Sequence, residues 1–160
     1  MNKIKRVVFI CLGNTARSPV AEYLARYYAK KNKIELNICS AGFINAFSYM
    51  QRESRQYLNL KNINYSDFQP QLITPALLEH QDLILTMEKS HSIDIITNYG
   101  HIENIRNKTF TLKEFNGESQ DIDIIDPYYT STETYRKVLQ IIDKNVKKAV
   151  EKIQKHNISF

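Results

Sequence analysis

The chain has 160 residues, 42% of them hydrophobic, with two cysteines and a formal net charge of +5. That length suits one domain over residues 1–160 with a single core. No apolar run is long enough to span a bilayer, Cys11 and Cys39 make no disulfide framework, and no Cys/His cluster has metal-ligand spacing, so membrane-spanning, disulfide-stapled and Cys/His metal classes are excluded.

Arg6 to Ile10 reads as a buried strand, followed by a tight loop that opens with Cys11. Ser18 is a favoured N-cap and Pro19 a favoured first helical residue, so a helix is predicted over residues 20–31. Val20, Leu24, Tyr27 and Tyr28 recur at helical spacing and should face a sheet. Ile34, Leu36 and Ile38 alternate, which predicts a strand from Ile34 to Cys39 ended by Ser40-Ala41-Gly42. Cys39 has the opposite parity and should face the other side of the sheet. Phe43 to Tyr49 reads as a loop with three aromatics. A helix from Met50 to Leu60 and a polar connection from Lys61 to Gln71 follow. Thr74-Pro75 starts a short helix to His80. A strand is predicted from Asp82 to Met87, a helix from Lys89 to Asn98 that stops near Gly100, and a strand from Asn107 to Leu112. Glu114 to Asp123 is polar, carries Gly117 and reads as a loop that ends in Asp126-Pro127-Tyr128-Tyr129. From Glu133 onward, Tyr135, Val138, Leu139, Ile142, Val146, Ala149, Val150 and Ile153 keep one face of a long helix apolar.

Strands alternate with helices throughout. That pattern predicts an α/β, three-layer fold with a parallel sheet and helices on both faces. Ligands in such sheets sit at the carboxyl ends of the strands, where Cys11 falls.

Cys11 and Arg17 bracket five residues, one of them Gly13. A loop between a strand and a helix N-terminus turns its backbone N–H groups inward and makes an anion nest. The helix dipole adds positive charge at the same point. Both effects favour a thiolate over a thiol and make Cys11 a candidate nucleophile. Arg17 offers a planar fork that fits two phosphate oxygens. The basic excess elsewhere, in Lys30, Lys31, Lys33 and the last helix, forms no Lys/Arg stripe with interleaved aromatics, so no nucleic-acid partner is expected. Residues 1–6 are too short and polar for a signal peptide. The expected setting is cytoplasmic, with no membrane partner.

The stretch CLGNTARSP, with SAG at Ser40 to Gly42, DLILTME at Asp82 to Glu88 and DPYY at Asp126 to Tyr129, resembles the low-molecular-weight protein tyrosine phosphatases from Lys5 to about Ile153. The resemblance implies four strands in order 2-1-3-4. It implies a hydrolase without metal or cofactor acting on phosphorylated protein or peptide through a phosphocysteine. In it Leu12, Gly13, Asn14, Thr15, Ala16 and Ser18 belong to the phosphate-binding loop (P-loop). Cys11 is the nucleophile, Arg17 binds phosphate and Asp126 is the general acid and base. Asn14, supported by Ser40, holds the strained loop, and the Ser18 hydroxyl donates to the thiolate. Phe47, Tyr128 and Tyr129 fall at the pocket rim.

The chain departs from the family's pattern in three places. Ala16 stands where many relatives carry a second, protective Cys. Asp67 stands where a His is often found, which puts the network behind Asn14 in question. Thr15 stands where tyrosine-specific members mostly carry a bulkier aliphatic residue, and relatives that hydrolyse phosphoarginine carry Thr there. DPYY points back toward phosphotyrosine. The principal reading is therefore a phosphotyrosine phosphatase, with phosphoarginine hydrolysis as the alternative. A thiol-dependent arsenate reductase is a more distant one, because its relay needs two further thiols and only Cys39 is available.

Overall fold

The computed structural model describes all 160 residues. Its centre is a parallel sheet of β1 (Arg6–Cys11), β2 (Asn37–Gly42), β3 (Leu83–Thr86) and β4 (Thr109–Thr111), in the order β2-β1-β3-β4. The helices are α1 (Arg17–Lys31), α2 (Arg52–Leu60), α3 (Pro75–Glu79), α4 (Lys89–Asn98), α5 (Ile105–Lys108), α6 (Leu112–Phe115) and α7 (Thr132–Ile158). The predicted strand order and the long last helix are both found.

The run Val7-Val8-Phe9-Ile10 is buried on both faces, as an inner parallel strand requires. Val7, Phe9 and Cys11 join the larger core with Val20 and Leu24 of α1, Leu58 of α2, Leu112 of α6 and Ile142 and Val146 of α7. Val8 and Ile10 join a smaller core with Leu78 of α3, Ile95 of α4 and Ile105 of α5. The three expected layers follow. Asp143 ties three helices on the first face: it accepts from the Tyr28 hydroxyl of α1 and from Tyr57 of α2 at 2.6 Å, and pairs with Lys61 at 3.1 Å.

Several boundaries differ from the sequence reading. β2 runs over Asn37–Gly42, because Ser40, Ala41 and Gly42 pair with Phe9, Ile10 and Cys11 rather than ending the strand. Ile34 and Leu36 precede it and pack on the core only in part. The first helix begins at Arg17, with Ala16 as N-cap and no side-chain cap. Ser18 lies inside its first turn, with its hydroxyl turned elsewhere. Tyr28 is buried as predicted, but Tyr27 is exposed. The last strand shrinks to three residues, flanked by two short helices that the sequence reading did not contain. The second, α6, takes the start of the predicted polar loop and is closed by a Thr111–Glu114 capping box.

Candidate active site

Asn14 has a left-handed backbone, φ 52°, which Asn adopts more readily than most residues. Its side chain holds that conformation from three directions. Oδ1 accepts from the Gln71 backbone N–H at 2.9 Å, which fixes the amide orientation. Nδ2 then donates to Ser18 Oγ at 2.9 Å and to Ser40 Oγ at 2.8 Å. Ser40 donates on to Glu22 at 2.6 Å, and Glu22 pairs with Arg26 at 2.5 Å. Burial pushes the Glu22 carboxyl upward, against the opposing pull of Ser40 and Arg26. Asp67 does not break this network. It accepts from Tyr23 at 2.8 Å and lies 3.5 Å from Arg26, outside the Asn14 bonds.

Ser18 Oγ lies 2.9 Å from Cys11 Sγ. Two glycines let the loop close. A Cβ on Gly42 would sit 2.8 Å from Asn14 N and 2.9 Å from Leu12 O, and one on Gly13 would sit 2.7 Å from Ala46. Phe43 N–H donates to Leu12 O at 2.7 Å and holds the following loop against this one.

Arg17 is only 1% exposed. Its Nη1 donates to Glu88 and to the Ile124 carbonyl, both at 2.6 Å. Nη2 lies 3.9 Å from Asp126 Oδ2. Its Nε is buried without a hydrogen-bond partner. An orphaned guanidinium N–H is costly unless an anion takes it. His91 lies 3.6 Å from Glu88, and burial holds its imidazole below the usual pKa.

These groups meet at a cavity of about 430 Å³. Cys11, Leu12, Gly13, Thr15, Ala16 and Arg17 of the loop line it together with Ile44, Ala46, Phe47, Gln51, Asp126 and Tyr128. Of the residues expected at the site, Asn14, Ser18 and Ser40 do not line the cavity, and their side chains bond one another beside it. Tyr128 packs its ring on Phe47, with centroids 5.7 Å apart. Tyr129 does not line this cavity. It is 92% exposed and backs Tyr128. Asp126 Oδ1 accepts from the Tyr128 N–H at 3.0 Å.

Cys39 lies away from the site. It pairs in register with Val8, three residues before Cys11, and packs on the smaller core. Three residues of strand span about 10 Å, beyond the roughly 7 Å Cα separation a disulfide tolerates. Burial pushes its thiol pKa up to about 11. Neither a protective bridge nor a thiol relay has a second sulfur in reach.

Glu88, Glu22, Gln51 and Tyr135 were not singled out from the sequence. Glu88 carried two signals: it closes the DLILTME stretch of the resemblance, and it follows a predicted strand, at the carboxyl end where such folds place ligands. The other three had none.

The model of the family described as low molecular weight phosphotyrosine protein phosphatase matches residues 6–158. The protein-arginine-phosphatase of Bacillus subtilis is 30% identical over 150 residues, covering 93% of this chain and 97% of its own. The low molecular weight protein-tyrosine-phosphatase PtpB of Staphylococcus haemolyticus is 32% identical over 136 residues, covering 84% and 90%. Among solved structures, the YwlE arginine phosphatase from Geobacillus stearothermophilus superposes with a TM-score of 0.85 at 27% identity, covering 97% of this chain and 96% of its own. With a loop built around Cys11 and Arg17 and a family match over nearly its whole length, this chain belongs to the low-molecular-weight phosphotyrosine protein phosphatases.

Proposed function

We propose that the protein hydrolyses phosphotyrosine in protein or peptide substrates through a phosphocysteine. The observation that carries this reading is the buried Arg17, whose Nε has no protein partner beside the Cys11 loop. In the reaction, the Cys11 thiolate attacks phosphorus in line with the leaving oxygen. The P–O bond breaks and its electron pair goes to that oxygen, which takes a proton from Asp126. Loop amides and Arg17 hold the equatorial oxygens as charge spreads over them. The Asp126 carboxylate then takes a proton from water, water oxygen bonds to phosphorus, and the sulfur leaves as thiolate. Ser18 donates its hydroxyl proton to that sulfur, because a thiolate has no proton to give and can only accept, while the Ser18 oxygen accepts from Asn14. Phe47 and Tyr128 supply aromatic walls for a phenyl ring. A cytoplasmic setting belongs to the same reading, since both cysteines are free.

A second reading, phosphoarginine as substrate, is supported by Thr15 in the cavity lining and by the similarity to protein-arginine-phosphatase.

The test is turnover of para-nitrophenyl phosphate by the wild type and by Cys11→Ser. The expected result is turnover that the substitution abolishes, with phosphate still bound as a competitive inhibitor of peptide binding. Turnover by Cys11→Ser within tenfold of wild type would remove the mechanism.

A further inference from the structure

Behind Thr15 lies a chain of hydroxyls whose protons can be counted. Ser54 Oγ is 2.9 Å from the Ala16 carbonyl and 2.8 Å from the Tyr135 hydroxyl. The Tyr135 hydroxyl is 2.9 Å from the Gln51 side-chain amide, whose other end is 3.3 Å from Thr15 Oγ1. Gln51 is anchored here by its own N–H, which donates to the Thr15 carbonyl at 2.8 Å. Ser54, Tyr135 and Thr15 are all buried.

The Ala16 carbonyl can only accept, so it takes the one proton of Ser54. The Ser54–Tyr135 contact then needs the proton of Tyr135. Burial pushes the phenol pKa upward, so that proton is present. Its single proton spent, the Tyr135 oxygen can only accept from Gln51. A side-chain amide has two orientations that share the same heavy-atom positions, and the hydrogen-bond network decides between them. With Oε1 toward Tyr135 and Nε2 toward Thr15, two oxygens at 2.8 Å would face each other with no proton of their own between them. With the amide turned over, every contact has one donor and one acceptor. Nε2 donates to Tyr135, and Thr15 donates its hydroxyl proton to Oε1.

The lone pairs of Thr15 Oγ1 are then left for the cavity that Thr15 lines. We infer that Gln51, locked by Tyr135 and Ser54, is a specificity-determining residue that fixes the Thr15 hydroxyl as an acceptor and so favours a guanidinium, with N–H donors beside its phosphoryl group, over a phenol. The inference rests on the phosphoarginine reading. A guanidinium carries donors on all its nitrogens, whereas a phenyl ring leaves a buried acceptor unpaired.

The experiment compares kcat/KM for matched phosphoarginine and phosphotyrosine peptides in the wild type, Tyr135→Phe, Gln51→Met and Gln51→Glu. Tyr135→Phe and Gln51→Met release the Thr15 hydroxyl, and the phosphoarginine-to-phosphotyrosine ratio should fall about threefold to tenfold, the range of one net hydrogen bond. Gln51→Glu presents only oxygen to Thr15 and should keep the ratio. A merely structural role would lower both substrates together. A ratio that is unchanged in Tyr135→Phe and Gln51→Met, or that falls as far in Gln51→Glu as in Gln51→Met, would overturn the inference alone. A wild type that turns over phosphotyrosine and no phosphoarginine would overturn the phosphoarginine reading and the selection with it. Nuclear Overhauser contacts of the Gln51 side-chain NH₂ give a readout that needs no substrate. Contacts to the Tyr135 ring support the orientation, and contacts to the Thr15 methyl alone overturn it.

Discussion

Gly42→Ala perturbs the site without touching a reacting group. Gly42 pairs with Cys11 at the end of β2, and the added Cβ would meet three backbone atoms of the loop over residues 12–14. It would sit 2.8 Å from Asn14 N and 2.9 Å from both Gly13 C and Leu12 O, where ordinary contact begins at 3.4 Å. No flexible side chain can yield, so either the loop or β2 must move by about 0.5 Å, at about 1–3 kcal/mol for an overpacked site. The atoms that move belong to the proposed phosphate-binding loop. Since misplacement by 1 Å can lower a rate about a hundredfold, kcat/KM should fall by about tenfold. Urea denaturation gives the stability loss, and para-nitrophenyl phosphate turnover gives the rate. Gly100→Ala is the control, because its Cβ would come no closer than 3.2 Å to the backbone of the preceding helix α4 and Gly100 is not among the residues around the cavity. If Gly42→Ala keeps kcat/KM within twofold and matches the control in stability, the close approach does not shape the loop.

Asp126→Asn should lower kcat by about two to four orders of magnitude on poor leaving groups, and by much less where the leaving group needs no proton. An equal loss on both would make Asp126 structural. Glu88→Gln should keep the 2.6 Å contact to Arg17 but remove its charge, raising KM for phosphopeptides more than it lowers stability. An unchanged KM would show that Arg17 is held by the Ile124 carbonyl alone. Peroxide should inactivate the enzyme, with much of the loss permanent, because no second sulfur can trap the Cys11 sulfenate before sulfinic acid forms. Mass spectrometry decides this, and a Cys11–Cys39 disulfide with activity restored by reductant is the contrary result.

Much of the candidate site was legible because its main parts are local. Cys11, Arg17 and the residues between them form one strand-loop-helix unit, and the Asp-Pro pair marks a stiff loop before a long helix. The strand order followed from resemblance, and the sheet confirms it. The residues that escaped act across the chain. Glu88 reaches Arg17 over 71 positions, and Tyr135 reaches Gln51 over 84. No periodicity encodes such partners. The same competition moved β2: the alternation of Ile34, Leu36 and Ile38 looked like its whole length, but pairing with β1 drew in Ser40, Ala41 and Gly42 instead. Ser18 reads locally as an N-cap, and tertiary contact with Cys11 and Asn14 took its hydroxyl for the site.

Rapid acid quench of the wild-type enzyme during turnover of a phosphotyrosine peptide, followed by mass spectrometry of the peptide that carries Cys11, tests the phosphocysteine itself. A phosphoryl adduct on Cys11 should form before steady state and accumulate in Asp126→Asn when the leaving group needs no proton. Full turnover with phosphate never found on Cys11 would contradict it.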